Sequence, residues 1–146
     1  MIVVPENKKL EVLLIEDEAG DIEVIKTSFE SNRRPTHVSV VRDGASAINY
    51  LRKQDSYADA KRPDLILLDL NLPKKDGREL LDTIKQDPIF KIIPVIVITG
   101  SDEDRDIVMS YMLHANAYIV KPMEYDKFID TLRAIQNFWL NSVTLP

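Results

Sequence analysis

Four short, uninterrupted apolar runs constrain the fold of this 146-residue chain more than any other feature. They lie at residues 12–15, 65–68, 95–98 and 118–120. None alternates with polar residues, and continuous runs of this length are typical of strands buried on both faces of a parallel sheet. A fifth run, residues 38–41, alternates in part, as an edge strand does. The sequence therefore predicts a five-stranded parallel sheet.

Helical spacing separates these runs and follows the last one. The final segment is the clearest, with an apolar stripe along one predicted helix face: Tyr125, Phe128, Ile129, Leu132, Ile135 and Trp139. Asp43 is placed to cap the second helix, and Ser101 and Asp104 have the spacing of a capping box before the fourth. Asp87 followed by Pro88 should end the third helix. Strands that alternate with helices predict an α/β fold, (βα)5, with a doubly wound parallel sheet.

The order of the strands follows from the handedness of their connections. Right-handed crossovers in the common order 2-1-3-4-5, a flavodoxin-like arrangement, put the topological switch point between strands 1 and 3. Ligands of such sheets bind beyond the carboxyl ends of the strands at that point. We therefore expect the functional site where residues 16 and 69 follow strands 1 and 3.

Length and charge limit the classes of function. The chain suits one compact domain over residues 1–146, with a core at about 9–141 and short tails. Nineteen basic against 24 acidic residues give a net charge of −5, which argues against binding nucleic acid or an anionic membrane surface. Absence of cysteine excludes disulfide and thiolate chemistry, and neither a signal peptide nor a membrane span is recognisable. We expect a cytoplasmic protein.

Acidic residues follow both strands that flank the switch point. Glu16 and Asp17 come directly after the first strand, and Asp69 follows the third. Three carboxylates this close repel one another unless some are protonated or a cation lies among them. Mg²⁺ is the simplest such cation, because it takes oxygen ligands and needs few carboxylates. A single acid at a strand end can merely cap a helix, but acids on both sides of the switch point favour a magnesium site.

Polar side chains also end the fourth and fifth strands. Thr99 and Lys121 should share the sheet edge with the acids, where an ammonium can offset the charge of a phosphoryl group and a hydroxyl can donate to it. Either residue alone would be an ordinary strand-end residue. Together, the four strand ends predict transfer of a phosphoryl group to a carboxylate. Asp69, at the centre of the sheet, is the predicted acceptor.

Four motifs occur in a recognisable order, at residues 15–17, 64–77, 94–100 and 117–122. They resemble the motifs of response-regulator receiver domains, which act in two-component signalling, and the resemblance covers essentially the whole chain. The third strand and its following loop, together with residues 138–140 and 143–146, are similar to cyanobacterial phytochrome response regulators in particular.

The resemblance implies a set of magnesium ligands around the phosphoacceptor. Asp69 would accept the phosphoryl group and bind the metal, and Asp17 would bind the metal directly. Glu16 would act mainly through water, and the backbone carbonyl of Asn71 would complete the protein ligands. Glu16 stands where the family more commonly has Asp.

The resemblance also implies a switch at the far end of the same edge. Lys121 would contact the phosphoryl group, and Thr99 would swing toward it. Tyr118 would be the aromatic switch residue, whose ring turns inward when Thr99 moves; a plain strand aromatic is the alternative. The peptide bond between Lys121 and Pro122 is expected to be cis, as is typical of the family.

The expected partner is a sensor histidine kinase, of phytochrome type if the subfamily resemblance holds. No second domain is expected after the fifth helix, so the predicted protein is a stand-alone regulator. It would not be an enzyme, although it would assist its own phosphorylation and dephosphorylation. Apolar residues of the fourth helix exceed one narrow stripe: Ile107, Val108, Tyr111, Met112 and Leu113. We expect a homodimer through helix 4, strand 5 and helix 5, unless this excess packs against the fifth helix.

Three other functions compete with this interpretation. A flavodoxin-like electron carrier would need a phosphate-binding loop after strand 1, but residues 16–21 are acidic and would repel a flavin phosphate. An aspartyl-phosphate hydrolase would need a second acid two residues after its nucleophile, where this chain has Asn71. A receiver-fold adaptor that works without phosphorylation remains the alternative.

Overall fold

The computed structural model describes residues 8–146, which form one parallel sheet with helices on both faces. The strands are β1 (Leu10–Ile15), β2 (Thr36–Val41), β3 (Leu65–Leu68), β4 (Val95–Thr99) and β5 (Ala117–Val120). The helices are α1 (Ala19–Glu30), α2 (Gly44–Leu51), α3 (Gly77–Gln86), α4 (Asp104–Met112) and α5 (Tyr125–Ile135). A 3-10 turn at Asp55–Tyr57 follows α2, and a π-helical turn at Gln136–Leu140 continues α5.

The strand order is β2-β1-β3-β4-β5, all parallel, which confirms the predicted topology. Ile15 in β1 lies opposite Val41 in β2 and Leu68 in β3. The ladder continues one residue past the strands, because the amide of Asp69 donates to the carbonyl of Ile15 at 3.0 Å. In the same way, the amide of Lys121 donates to the carbonyl of Thr99 at 2.8 Å. The register therefore brings the strand ends to one edge of the sheet.

Two hydrophobic cores sandwich the sheet because its central strands are buried on both faces. Side chains from α2 and α3 pack on one face, with Leu13 and Ile66 among the strand residues there. Side chains from α1 and α5 pack on the other face, with Leu14 and Leu67 among the strand residues. Burial on both faces is confirmed for the continuous apolar runs of β1, β3 and β4. It is wrong for the run at residues 118–120, because β5 is an edge strand whose residues are half-buried or exposed.

The helix boundaries follow two of the three predicted signals. Asp43 caps α2, accepting the amide of Ser46 at 2.8 Å, and α3 ends just before Asp87. The predicted capping box before α4 is wrong. The helix begins at Asp104 without a side-chain cap, and the hydroxyl of Ser101 donates instead to Asp106 at 2.6 Å. The Ser101 oxygen also accepts the amide of Glu103, but at 3.4 Å this bond is long and weak, and it lies before the first residue of the helix.

Two further observations concern the described residues as a whole. None of the helices within 8–146 has the length and apolar character needed to cross a membrane. The expected cis bond between Lys121 and Pro122 is wrong, since every peptide bond in that range is trans. The trans form of a bond to proline is lower in free energy by about 0.5–1 kcal/mol unless the surroundings select the cis form.

Candidate functional site

Lys121 is at the centre of the site, at the carboxyl edge of the sheet. Its ammonium lies 2.6 Å from Asp69 Oδ2, 2.7 Å from Glu16 Oε2 and 2.8 Å from Asp21 Oδ2. The side chain is largely buried, so these three ion pairs are partly shielded from water. Burial alone would lower the pKa of Lys121, but the three carboxylates raise it above its ordinary value. The residue therefore stays charged.

Asp69 follows β3 and has hydrogen-bond partners on both carboxylate oxygens. Oδ2 accepts from Lys121, whereas Oδ1 accepts the hydroxyl of Thr99 and the amide of Asn71, both at 2.9 Å. The residue is only 5% exposed. Burial raises the pKa of such a carboxyl, but these hydrogen bonds outweigh burial and lower the pKa of Asp69 below its ordinary value. The carboxylate is thus held ionised, the form that can act as a nucleophile.

Glu16 is the most buried acid of the site, at 2% exposure. Its Oε1 accepts the amides of Asp17 and Glu18 at 3.2 and 3.1 Å, and its Oε2 faces Lys121. Burial, reinforced by the neighbouring charge of Asp69, raises the pKa of Glu16 to about 7, although Lys121 opposes the shift. Of the two neighbouring carboxyls, Glu16 is the one that takes up a proton first.

Asp21 is a member of the site that sequence reasoning missed. It lies in the first turn of α1 and is half-buried, with its carboxylate on Lys121, one hundred positions away in the chain. The available signal was the acidic stretch of residues 16–23, which has five acids and no base. That stretch shows an acidic helix start but does not say which acid turns toward the sheet edge.

Two predicted metal ligands lie at the rim. The side chain of Asp17 is exposed, and so is Asn71, whose amide is bound to Asp69. Within residues 8–146, no three acidic, histidine or cysteine side chains are arranged to hold a metal ion. Two carboxylates and one carbonyl nevertheless fit Mg²⁺, which binds proteins through few carboxylates and keeps several waters. The donors at this edge are all oxygen, the chemistry that a hard cation requires.

Gly77 is a second contributor to the site without a role in the sequence reasoning. It begins α3, and its amide donates to the carbonyl of Leu70 at 3.1 Å. A Cβ at this position would lie 2.5 Å from Leu70 Cα and 2.7 Å from the carbonyl oxygen of Asp69. Only glycine permits this close approach, so the start of α3 is packed directly against the backbone that presents Asp69.

Thr99 and Tyr118 lie on the side of the site toward α4. Thr99 is fully buried and already bonded to Asp69 at 2.9 Å. The ring of Tyr118 is half-buried, and its hydroxyl donates to the carbonyl of Ser101 at 2.9 Å. The structure therefore brings Asp69, Thr99, Lys121 and Glu16 into direct or shared contact, with Tyr118 one step away through the segment after β4.

Several apolar side chains near this side of the molecule are exposed. On α4 and around β5 they are Val108, Met109, Tyr111, Met112, Val120, Met123 and Tyr125. Of the five predicted residues, Val108, Tyr111 and Met112 are therefore not covered by α5, whereas Ile107 and Leu113 are half-buried. An apolar surface of this kind is a common feature of protein contact sites.

Comparison with known proteins gives a consistent result. The family model described as response regulator receiver domain matches residues 12–133. The response regulator Rcp1 of Synechocystis sp. is 42% identical over 135 residues, which span 92% of this chain and 92% of that protein. The sequence similarity thus extends over nearly the full length of both chains.

Solved structures agree with the sequence match. The crystal structure of the Mn²⁺-bound form of Rcp1 has a TM-score of 0.91, with 42% identity, and covers 94% of this chain and 99% of its own. The phosphorylated cyanobacterial phytochrome response regulator RcpA has a TM-score of 0.92 with 47% identity, over 95% and 99% of the two chains.

Proposed function

This chain belongs to the response-regulator receiver family of two-component signalling, and from that premise we propose that it is a stand-alone response regulator phosphorylated on Asp69. The phosphoryl donor is a sensor histidine kinase, and the similarity to phytochrome response regulators supports a kinase of phytochrome type. Proteins of this family are signalling proteins and not enzymes in the usual sense. A cytoplasmic location stays a prediction.

The observation that carries the proposal is the environment of Asp69. A buried carboxylate is kept ionised between an ammonium at 2.6 Å and a hydroxyl at 2.9 Å. Once a phosphoryl group is attached to Asp69, the ammonium can compensate the charge on its oxygens and the hydroxyl can donate a hydrogen bond to one of them. An adaptor that never takes up a phosphoryl group has no need of this arrangement.

The transfer requires positioning and charge compensation more than covalent assistance. An Asp69 oxygen attacks phosphorus, the bond from phosphorus to the kinase histidine nitrogen breaks, and its electron pair stays on the imidazole, which takes a proton from water. Lys121 then moves its hydrogen bond from Asp69 to a phosphoryl oxygen. Thr99 donates its hydroxyl to a second one. The same groups would assist hydrolysis of the aspartyl phosphate.

We assign the magnesium ligands to the oxygen donors at the rim of the site. Asp17 and Asp69 would bind Mg²⁺ directly, the backbone carbonyl of Asn71 would complete the protein ligands, and Glu16 would act through water. The bound cation would neutralise charge on the phosphoryl oxygens. A Mn²⁺-bound form of the related Rcp1 supports a divalent ion here.

The output is a change in a protein-interaction face. When Thr99 is held by the phosphoryl group, the ring of Tyr118 stays inward. The exposed surface of α4, β5 and α5 then differs in arrangement from that of the unphosphorylated chain. We propose that this surface forms a homodimer. Neither nucleic acid nor a membrane is part of the proposal.

Intact-mass measurement after incubation with acetyl phosphate tests the central claim. With Mg²⁺, the wild-type chain should gain the mass of one phosphoryl group, and without Mg²⁺ it should gain little or none. Asp69→Asn is the matched control, because it keeps the shape of the side chain and removes the nucleophile. No added mass on the wild type, or equal labelling of Asp69→Asn, would favour the phosphorylation-independent adaptor.

A further inference from the structure

Arg78, Asp106 and Ser101 form a hydrogen-bonded network that the proposed function does not use. The guanidinium of Arg78 donates to Asp106 Oδ1 from Nη2 at 2.5 Å and from Nε at 2.9 Å. The other oxygen of Asp106 accepts the hydroxyl of Ser101 at 2.6 Å. The side chains of Asp106 and Arg78 are 7% and 29% exposed, so the bonds are shielded from water and are of the strong, charge-assisted kind.

The network connects three parts of the chain that surround the site. Arg78 is in the first turn of α3, the helix that packs through Gly77 against the backbone of Asp69. Asp106 is in the first turn of α4. Ser101 lies between β4 and α4, two residues after Thr99. A contact between Arg78 and Asp106 thus fixes the segment after Thr99 relative to the segment after Asp69.

Ser101 also holds Tyr118. While the side chain of Ser101 is bound to Asp106, its backbone carbonyl accepts the hydroxyl of Tyr118 at 2.9 Å. In the same arrangement, the hydroxyl of Thr99 reaches Asp69. The carbonyl of Ser101 is therefore available to Tyr118 only as long as the segment keeps this position.

We propose that the Arg78–Asp106 ion pair is a positioning device for the Tyr118 switch. By anchoring Ser101, it stabilises the arrangement in which Tyr118 is bound inward and Thr99 is directed at Asp69. Its effect on signalling rests on the proposed function, because that arrangement is the one ready to accept a phosphoryl group. Loss of the pair lowers the population of that arrangement without altering any residue that touches the phosphoryl group.

Arg78→Met tests this with a close control. The backbone amide of Arg78 donates to Asp76 at 2.7 Å, and this cap of α3 does not depend on the side chain. The variant also loses the ion pair of Arg78 Nη1 with Asp76 at 3.1 Å, but the Asp76 side chain is 49% exposed, so that pair contributes little. Arg105→Met removes the same charge from the residue next to Asp106, but the side chain of Arg105 is 86% exposed and, within residues 8–146, forms an ion pair only with Glu103, at 3.4 Å. The control therefore separates the specific contact from a general change in charge.

The first measurement needs no phosphorylation. Protein labelled with fluorotyrosine is examined by ¹⁹F NMR, with the Tyr118 resonance assigned by its loss in Tyr118→Phe. In Arg78→Met the resonance should move toward the position of a solvent-exposed tyrosine, and in Arg105→Met it should stay. Arg78→Lys keeps the charge but cannot place two fixed N–H donors on the one oxygen Oδ1 of Asp106, so it should give an intermediate shift even if Arg78→Met fails to fold.

The second measurement is the rate of phosphoryl addition from acetyl phosphate with Mg²⁺. We expect about a fivefold to tenfold lower rate in Arg78→Met, and a wild-type rate in Arg105→Met. An unchanged Tyr118 resonance in the folded Arg78 variants, or an equal change in Arg105→Met, overturns the proposal. If the wild type accepts no phosphoryl group, the proposed function fails, and the ¹⁹F comparison still decides the role of the ion pair.

Discussion

Lys121 shows how much of the charge balance of the site depends on one residue. A single ammonium compensates the carboxylates of Glu16, Asp21 and Asp69, all within 2.8 Å. Removing one partner of a buried ion pair leaves the other charge without compensation, which costs more than the pair contributes. Lys121 therefore has a structural role as well as its proposed role toward the phosphoryl group.

Lys121→Met should lower the free energy of unfolding by about 3 kcal/mol. The measurement is urea denaturation in the presence of EDTA, so that only the charges of the chain act on the three acids. Lys127→Met is the control, because Lys127 is exposed and lies 3.7 Å from Glu124. Equal stability of the two variants would contradict the assigned role of Lys121.

Gly77 presents a steric constraint at the same scale. Gly77→Ala forces a Cβ against Leu70 Cα and the carbonyl oxygen of Asp69, so the backbone has to move. We expect a loss of about 2 kcal/mol in urea denaturation, together with slower phosphoryl addition. Gly100→Ala should stay within about 0.5 kcal/mol of the wild type, because a Cβ there meets nothing within 4 Å. A Gly77→Ala variant as stable as Gly100→Ala would show that the contact is relieved at no cost.

At the scale of elements, the start of α2 has a stabilising cap. Asp43 accepts the amide of Ser46 at 2.8 Å and its hydroxyl at 3.1 Å. The bond from the Ser46 amide lowers the pKa of Asp43 below its ordinary value of 3.8. An acid whose pKa is lowered by folding stabilises the folded chain fully at any pH above its unfolded-state pKa. That contribution is lost as the pH falls through the folded-state pKa.

Asp43→Ala should therefore cost about 1 kcal/mol at pH 7. Measured by urea denaturation across pH, the difference from the wild type should begin to shrink below pH 3.8, where Asp43 of the unfolded chain takes up a proton. It should be lost once the pH has fallen through the lower folded-state pKa, because the cap is then protonated in the folded chain as well. Asp43→Asn keeps an oxygen acceptor without a titrating group. Asp43→Asn should retain most of the wild-type stability at pH 7. A stability difference between the wild type and Asp43→Ala that stays constant down to low pH would exclude the ionised cap.

At the scale of the whole molecule, the apolar surface of α4, β5 and α5 is the feature that remains without a partner in the described chain. Val108, Met112 and Met123 are exposed there, close to the Tyr118 side of the site. Burying such a surface against a second copy would remove apolar area from water. The proposed homodimer therefore links the state of Asp69 to assembly.

Light scattering at micromolar concentration, with beryllofluoride as the phosphoryl mimic, measures the mass of the assembly and so tests the proposed homodimer. The wild type should show twice the chain mass of 16.7 kDa, and Met112→Glu should show the single mass, because a charge would be buried in the contact. Ile89→Glu places the same charge on an exposed apolar residue between α3 and β4, and should leave the dimer intact. A wild type that is monomeric with and without the mimic would exclude the dimer.

Strand positions and the edge that carries the site could be predicted from the chain itself. The apolar run at residues 65–68 is buried on both faces, and a strand of that kind has few alternatives to the centre of a parallel sheet. Because parallel strands end at one edge, Asp69, Thr99 and Lys121 could be expected to meet there. The roles assigned to Asp17, Asn71 and Tyr118 came from the family resemblance and stay predictions.

The sequence by itself determined where the strands lie and how they alternate with helices, because apolar runs, helix periodicity and the Asp43 cap are local patterns. The strand order followed from that alternation together with the common right-handed arrangement of parallel strands. Only the tertiary structure decided which side chains meet across long stretches of chain. Lys121 takes Asp21 as a third partner, and Ser101 binds Asp106 instead of capping α4. Burial of Glu16, which raises its pKa to about 7, is decided in the same way. Such contacts depend on how separate elements pack, and no local spacing encodes those distances.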